Sequence, residues 1–171
     1  DASENKTYIS ADTEIWTEAG ETSDLLYGLV TDIGTTTLVV SLLDLVSGKE
    51  LDTASALNPQ ARHAQDVISR ISIASEESGL YKMHTLLMDE INSLTAQLAR
   101  KHHIDTRNIY EAVFCGNTCM LHLAANVSPR TLGFYPFESA LKTPVYLSAS
   151  ELKLDIAPRA LVYFPPCISS Y

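Results

Sequence analysis

The feature that most constrains the fold is a run of three strand-like segments between residues 28 and 56. Gly28–Gly34 and Thr35–Asp44 are rich in β-branched and apolar residues, as buried strands are. A turn at Val46–Lys49 then leads into a third segment, Glu50–Ala56. Three strands in succession that are joined by tight turns predict an antiparallel meander.

Helical and strand-like segments follow the meander. In chain order the sequence predicts a helix at 64–74, with Val67, Ile68 and Ile71 on one side, and a second helix that ends near 101 after an interruption at Ser78-Gly79. A strand at 109–115, a short helix ending near 126, and strands at 145–147 and 160–164 are predicted to follow. This order predicts an α/β fold, in which a mixed sheet with an antiparallel β-meander is flanked by helices. Residues 1–27 are polar and are predicted to form a linker or lead-in, with one edge strand at Thr7–Trp16. Residues 28–171 form the predicted domain.

The composition of the chain indicates its cellular compartment and argues against some classes of partner. Hydrophobic residues make up 46% of the chain and charged residues 19%, which predicts a packed core. The formal net charge of −9 argues against nucleic acid and against anionic membrane surfaces as partners. No apolar run approaches the roughly 20 residues that cross a bilayer, and the polar N-terminus lacks a signal-peptide core. The chain has three cysteines, Cys115, Cys119 and Cys167, an odd number that cannot all be paired in disulfides. They are also too few to supply the four ligands of a structural zinc site. This cysteine content favours a cytoplasmic protein with reduced thiols.

The strongest candidate for chemistry is the segment Asp32–Thr37, which reads DIGTTT and lies between two predicted strands. It matches neither the GxxxxGK[ST] loop nor the GxGxxG fingerprint, both of which precede a helix. Successive backbone N–H groups at a turn can form an anion-binding concavity, and Gly34 allows a close backbone approach. The alternative is an ordinary hairpin whose threonines reflect β-propensity.

The polar side chains of this segment extend the phosphate hypothesis. Thr35, Thr36 and Thr37 supply hydroxyl donors beside the turn. Asp32 would repel a phosphate unless a divalent cation such as Mg²⁺ lay between them, commonly with water in its coordination shell. The segment therefore predicts a site for phosphate and hydrated magnesium.

A second candidate is Gly116-Asn117-Thr118, which follows a predicted strand and precedes a helix. A helix N-terminus presents unpaired N–H groups and the positive end of the helix dipole. The alternative is that Asn117 or Thr118 only caps its own helix. If both candidates belong to one sheet, they can face one cleft.

The remaining polar patterns suggest structural roles. Asn58-Pro59-Gln60 is predicted to break secondary structure. Asp66 and Arg70 are four residues apart and predict an ion pair on a helix surface, worth about 0.2–0.5 kcal/mol. The histidines show no metal-ligand spacing, and no catalytic base is assigned.

Five blocks, in this order, resemble the C-terminal domain of reductive activators of corrinoid proteins. They are GLVTDIGTTT from residue 28, SALNPQ from 55, DVISRI from 66, CGNTCMLH from 115 and FPPCISS from 164. Within the first block, the hairpin Asp32–Thr36 also resembles the first phosphate motif of the superfamily that contains actin, sugar kinases and heat-shock chaperone ATPases.

This resemblance implies a specific activity. Such activators return an inactive Co(II) corrinoid, held by a separate protein of a methyl-transfer system, to the Co(I) state, and ATP provides the driving force. It implies Asp32, Gly34, Thr35 and Thr36 as the phosphate and Mg²⁺ site, with 116–118 as further cleft residues. Many members carry a plant-type [2Fe–2S] domain, whose cysteine spacing does not occur in these residues.

The resemblance also implies a larger fold. Members have a second DxGT-type phosphate motif and glycine-rich adenosine contacts, which these 171 residues do not contain. We therefore expect the first lobe of a two-lobed, actin-like ATPase domain, with ATPase activity in the full-length protein and a homodimer as a possible assembly. The alternatives are a small-molecule kinase or dehydratase activator on the same scaffold, or a non-enzymatic module that docks a partner.

Overall fold

A six-stranded mixed β-sheet lies at the centre of the fold. The computed structural model describes residues 6–10, 13–18 and 25–167. The strands are β1 Lys6–Ser10, β2 Thr13–Glu18, β3 Tyr27–Ile33, β4 Thr37–Asp44, β5 Lys49–Leu57, β6 Ile109–Gly116, β7 Val145–Ser148 and β8 Leu161–Phe164. The helices are α1 Val67–Ala74, α2 Glu77–Lys101, α3 Thr118–Ala124 and α4 Ala149–Leu152, and 3₁₀ turns occur at Pro59–Arg62, Thr106–Asn108 and Arg130–Gly133.

The strand order of this sheet is β5-β4-β3-β6-β8-β7. Strands β3, β4 and β5 are antiparallel to one another and form the predicted meander. Strand β6 lies parallel to β3, β8 lies parallel to β6, and β7 is antiparallel to β8. The prediction of an α/β fold with a mixed sheet, an antiparallel meander and flanking helices is confirmed.

The two faces of the sheet differ in burial. In β3 the side chains of Leu29, Thr31 and Ile33 are buried, whereas Val30 and Asp32 are exposed. This alternation follows from the two-residue period of a strand. Helix α2 packs against β4 and β5 on the buried face and also contacts α1 and α3. The core therefore lies between the sheet and these helices, and Asp32 lies on the opposite face.

Helix α1 begins later than the predicted Ala64. The carboxylate of Asp66 accepts hydrogen bonds from the backbone N–H of Ser69 at 2.8 Å and from its hydroxyl at 2.9 Å. This is an N-cap arrangement, so the helix begins at Val67. The residues before it include a separate 3₁₀ turn, in which Asn58 caps the first amides.

The predicted interruption between the two helices is also displaced. The break falls at Glu76, whose backbone is extended, while Ser78 and Gly79 lie within the first turn of α2. First-turn amides have no intrahelical acceptor, so residues with low helix propensity are tolerated there. Helix α2 is 25 residues long. Within the residues described, no helix is both long and apolar enough to cross a membrane.

The single edge strand predicted at Thr7–Trp16 is instead a pair of strands. Strands β1 and β2 are antiparallel, with Lys6 opposite Glu18 and Ser10 opposite Thr13. They form their own two-stranded sheet and do not join the six-stranded one. No glycine marks a turn between them, so the residue pattern does not separate the two strands.

A buried histidine links α3 to the segment before β7. His122 is 0% exposed, and its Nδ1 donates to the carbonyl of Thr118 at 2.7 Å. Its Nε2 accepts from the backbone N–H of Ala140 at 3.1 Å, so the ring is neutral with its proton on Nδ1. Burial penalises the charged ring and lowers the pKa of His122.

We expect the protein to lose stability below pH 6.5 because of this residue. An unfolded histidine takes up a proton near pH 6.5, whereas folded His122 does so only at lower pH. The unfolded state then binds more protons, so the unfolding free energy falls by at most about 1.4 kcal/mol per pH unit until the pH passes the folded pKa. Urea unfolding at pH 7.5 and 5.5 measures this loss.

The control for this prediction is the exposed His63. The His122→Gln variant should show a smaller loss of stability between the two pH values than the wild type. The His63→Gln variant should keep the wild-type pH dependence. An identical pH dependence in wild type and His122→Gln would contradict the assignment.

Candidate phosphate-binding site

The two segments singled out from the sequence lie at the same end of the sheet. Strands β3 and β6 are parallel neighbours, with Asp32 opposite Cys115 and Ile33 opposite Gly116. Because parallel strands end at the same edge, the turns that follow them are adjacent. The side-chain Nδ2 of Asn117 donates to the hydroxyl of Thr35 at 3.1 Å. The structure therefore brings the two segments into contact.

The β3–β4 turn requires glycine because the backbone closes tightly on itself. The N–H of Gly34 donates to the carbonyl of Thr37 at 3.0 Å. A Cβ at position 34 would lie 2.5 Å from that carbonyl oxygen, and a Cβ on Gly116 would lie 2.7 Å from the carbonyl of Ile33. Real Cβ atoms do not approach backbone oxygens this closely, so both turns depend on the absence of a side chain.

The three carbonyls of the hairpin tip are all hydrogen-bonded. The Gly34 carbonyl accepts from Asn58 Nδ2 at 2.8 Å, and the Thr36 carbonyl accepts from the Asn58 backbone N–H at 2.8 Å. The Thr35 carbonyl accepts from Arg70 Nη2 at 2.6 Å. Each peptide is planar and trans, so its N–H points away from its anchored carbonyl. The orientation of the hairpin backbone is therefore fixed.

The hairpin presents unpaired donors next to a carboxylate. Within residues 25–167, the amide N–H groups of Thr35 and Thr36 have no hydrogen-bond acceptor. Thr36, Thr37 and Asp32 are exposed, and Thr35 is half-buried. Asp32 is exposed on the open face of the sheet, two residues before Gly34. The arrangement offers N–H donors, hydroxyls and one carboxylate to a ligand.

The carboxylate of Asp32 also influences its neighbour on β6. The pKa of the Cys115 thiol is raised, first by burial and then by the negative charge of Asp32. Cys119, on α3, is buried, and burial raises the pKa of its thiol to about 12. Both thiols are therefore protonated at neutral pH and are poor nucleophiles or metal ligands.

Residues 116–118 contribute to the candidate site mainly by positioning Thr35. Asn117 caps α3, since its Oδ1 accepts from the N–H of Met120 at 2.9 Å, as the alternative interpretation of this segment predicted. The other end of the same amide contacts Thr35. Gly116 and Asn117 are exposed, whereas Thr118 is only 5% exposed and is not presented at the surface. Helix α3 has only seven residues, so it offers little dipole to an anion.

The predicted surface ion pair between Asp66 and Arg70 is wrong. Asp66 caps α1, and Arg70 is 0% exposed. Arg70 belongs to the buried stripe of α1 because Val67, Ile71 and Ala74 lie three, one and four residues away from it, on one helix face. Ile68, expected on that apolar side, is 77% exposed. Helical spacing is the signal that identifies Arg70 as an interior residue.

Buried Arg70 joins three elements to the hairpin. Besides Thr35, its guanidinium donates to the Ala64 carbonyl at 3.1 Å, to Gln60 Oε1 at 3.1 Å and to Met120 Sδ at 3.0 Å. Burial lowers its pKa, yet an arginine stays charged in proteins. The hairpin is thereby tied to α1, α3 and the 3₁₀ turn before α1.

Comparison with known proteins identifies the family of this chain. Residues 27–171 match the family described as the RACo middle region. The chain is 37% identical over 147 residues to the corrinoid activation enzyme RamQ of Eubacterium limosum, across 85% of this chain and 25% of that protein. A solved structure described as a reductive activator for corrinoid, iron-sulfur protein superposes with a TM-score of 0.88 at 38% identity, across 92% of this chain and 25% of that one. The chain thus spans 25% of the length of each relative. It belongs to the RACo middle-region family, and the resemblance to reductive activators of corrinoid proteins is confirmed.

Proposed function

We propose that this chain forms the phosphate-binding lobe of an ATP-dependent reductive activator. The complete protein would return Co(II) corrinoid proteins of methyl-transfer systems to Co(I). The observation that carries the proposal is the anchored hairpin, in which the Thr35 and Thr36 amides are unpaired and exposed Asp32 lies at the end of the strand before them. The names of two relatives, a corrinoid activation enzyme and a reductive activator, support the same activity.

The residues of the hairpin fit the terminal phosphates of ATP. The N–H groups of Thr35 and Thr36 would donate to phosphate oxygens, and the threonine hydroxyls add further donors. One carboxylate is also what a hydrated Mg²⁺ needs, because this ion keeps several waters and takes its other ligands from the phosphates. Among the described residues, no group of three or more His, Cys, Asp or Glu side chains forms a metal site. We therefore assign Asp32 to water molecules around a magnesium ion that arrives with ATP.

The role of ATP follows from the chemistry of the corrinoid. Co(II)/Co(I) is a low-potential couple, so an ordinary electron donor needs a further driving force. Nucleotide binding between two lobes favours a closed state, and a ligand shifts such an equilibrium by its difference in affinity for the two states. Closure would favour the complex with the corrinoid protein. We assign delivery of the electron to an iron–sulfur domain outside these residues.

The test is calorimetric binding of Mg-ATP to the complete natural polypeptide that carries these residues. We expect Gly34→Ala to weaken binding at least about tenfold, because its Cβ would displace the Thr37 carbonyl and open the hairpin. Gly48→Ala is the matched control. Gly48 lies in the exposed turn at the other end of β4. An alanine there is strained because φ is +70°, but its Cβ meets nothing within 4 Å, so this variant carries a backbone cost without disturbing the hairpin.

Three outcomes of this binding experiment are distinguishable. Loss of Mg-ATP binding in Gly34→Ala with wild-type binding in Gly48→Ala supports the hairpin as the phosphate site. Mg-ATP binding that is equal in all three proteins would exclude the hairpin. A folded wild-type protein that binds no Mg-ATP would overturn the ATP-dependent mechanism itself.

A further inference from the structure

The buried guanidinium of Arg70 has no acidic partner in direct contact among the described residues. Its acceptors are two backbone carbonyls, the side-chain oxygen of Gln60 and the sulfur of Met120. Among the described residues, no carboxylate lies within ion-pair distance of it. A buried charge is strongly unfavourable unless a countercharge or several hydrogen bonds compensate it. The protein therefore holds a positive charge in its interior, directly behind the hairpin, that is stabilised by hydrogen bonds and not by a direct ion pair. Asp66 acts on this charge only at longer range.

The shortest hydrogen bond of Arg70 is to the peptide group between Thr35 and Thr36. Nη2 lies 2.6 Å from the carbonyl oxygen of Thr35, which is a charge-assisted hydrogen bond. The N–H of that same peptide belongs to Thr36, points the opposite way and has no acceptor within residues 25–167. Hydrogen bonds in series polarise one another, so the cation behind the carbonyl strengthens the N–H in front of it.

The surroundings hold Arg70 in this position. Gln60 is 0% exposed, and its Nε2 donates to the carbonyl of Met83 at 2.9 Å. This contact turns Oε1 of Gln60 toward the guanidinium. Met120 is also fully buried, and its N–H is bound by the cap residue Asn117. The guanidinium therefore has a fixed orientation toward Thr35.

We propose that Arg70 is a positioning residue that supplies positive charge to the phosphate site through the Thr35–Thr36 peptide. It fixes this peptide and polarises the Thr36 N–H toward the terminal phosphates of a nucleoside triphosphate. The inference rests on the proposed function of the hairpin. It adds a source of selectivity, because the benefit increases with the negative charge of the ligand.

Two variants test the charge and the geometry separately. Gln60→Glu keeps Arg70 and its bond to Thr35 but places a carboxylate oxygen next to Nη1, which neutralises the buried cation. Arg70→Lys keeps the charge but loses the planar fork that contacts four acceptors at once. Gln97→Glu is the control, since it adds the same negative charge at an exposed position near the C-terminal end of α2, away from Arg70.

The readout is the affinity of the complete natural polypeptide for Mg-ATP and for AMP, measured by calorimetry. We expect Gln60→Glu and Arg70→Lys each to weaken Mg-ATP binding about tenfold and to change AMP binding less than about twofold. Gln97→Glu should bind both ligands as the wild type does. Thermal unfolding of each variant establishes that it is folded.

A purely structural role of Arg70 predicts a different pattern of Mg-ATP and AMP affinities. Equal losses for Mg-ATP and AMP in both variants, or wild-type Mg-ATP binding in folded Gln60→Glu, would overturn the proposal. Either result leaves the hairpin as the phosphate site, provided that the wild type binds Mg-ATP. Absence of Mg-ATP binding to the wild type overturns the proposed function, and the role of Arg70 with it.

Discussion

An alanine in place of Asp32 is expected to reduce nucleotide-driven reactivation of a corrinoid protein at least about 100-fold. The carboxylate is exposed, on the strand that leads into the hairpin, three residues before the first of the two unpaired amides. In the proposed mechanism its removal leaves the water molecules around Mg²⁺ without their anionic partner. Because exposed side chains contribute little to folding, the unfolding free energy should stay within about 0.5 kcal/mol of the wild type.

The matched control is Asp155→Ala, another exposed aspartate at the opposite end of the sheet. Its neighbour Ala157 donates to the carbonyl of Ile109 at the start of β6, whereas Asp32 lies beside Cys115 near the end of that strand. Reactivation is followed by the absorbance of the corrinoid as Co(II) becomes Co(I). Wild-type rates in folded Asp32→Ala would exclude a role for this carboxylate.

The largest effect on stability is expected for Phe114→Ala, at about 3–5 kcal/mol. Phe114 is 0% exposed on β6, and its ring meets that of Phe164 edge to face, with centroids 5.3 Å apart. Truncation removes buried apolar area and leaves a cavity between the sheet and the helices. Urea unfolding at pH 7.5 measures the change.

Phe134→Ala is the control for this prediction. Phe134 is 63% exposed, so its truncation should change the unfolding free energy by at most about 0.5 kcal/mol. A loss below 1 kcal/mol in Phe114→Ala would mean that this part of the sheet is not packed as described.

Four of the five sequence blocks converge on the hairpin. Asn58, Arg70 and Asn117 lie 24, 35 and 82 residues along the chain from their hairpin partners, and each donates a hydrogen bond to that turn. The resemblance to corrinoid activators thus rests on residues that hold one site together. This convergence explains why the blocks are informative as a set although each is short.

The chain's own pattern predicted the meander, helices α1 and α2, and the β6–α3 junction. These elements depend on local causes: the two-residue alternation of β3, the three- and four-residue spacing of α2 and the Asn117 cap. The same local signals led to errors at α1. Its start was displaced because the cap at Asp66 went unrecognised, and Ile68 was placed on the wrong face.

Only the tertiary structure decided what surrounds the candidate site. The sequence identified Asp32, Gly34 and the threonines, because a glycine between two strands is a local feature. It did not identify Arg70 or Asn58 as partners of the hairpin, since a hydrogen bond between residues tens of positions apart depends on how the strands pair. The sequence placed Arg70 on a helix surface, although helical spacing alone could have placed it among buried residues. The carbonyl that it binds was set by the parallel pairing of β3 with β6 and by the packing of α1 against α3.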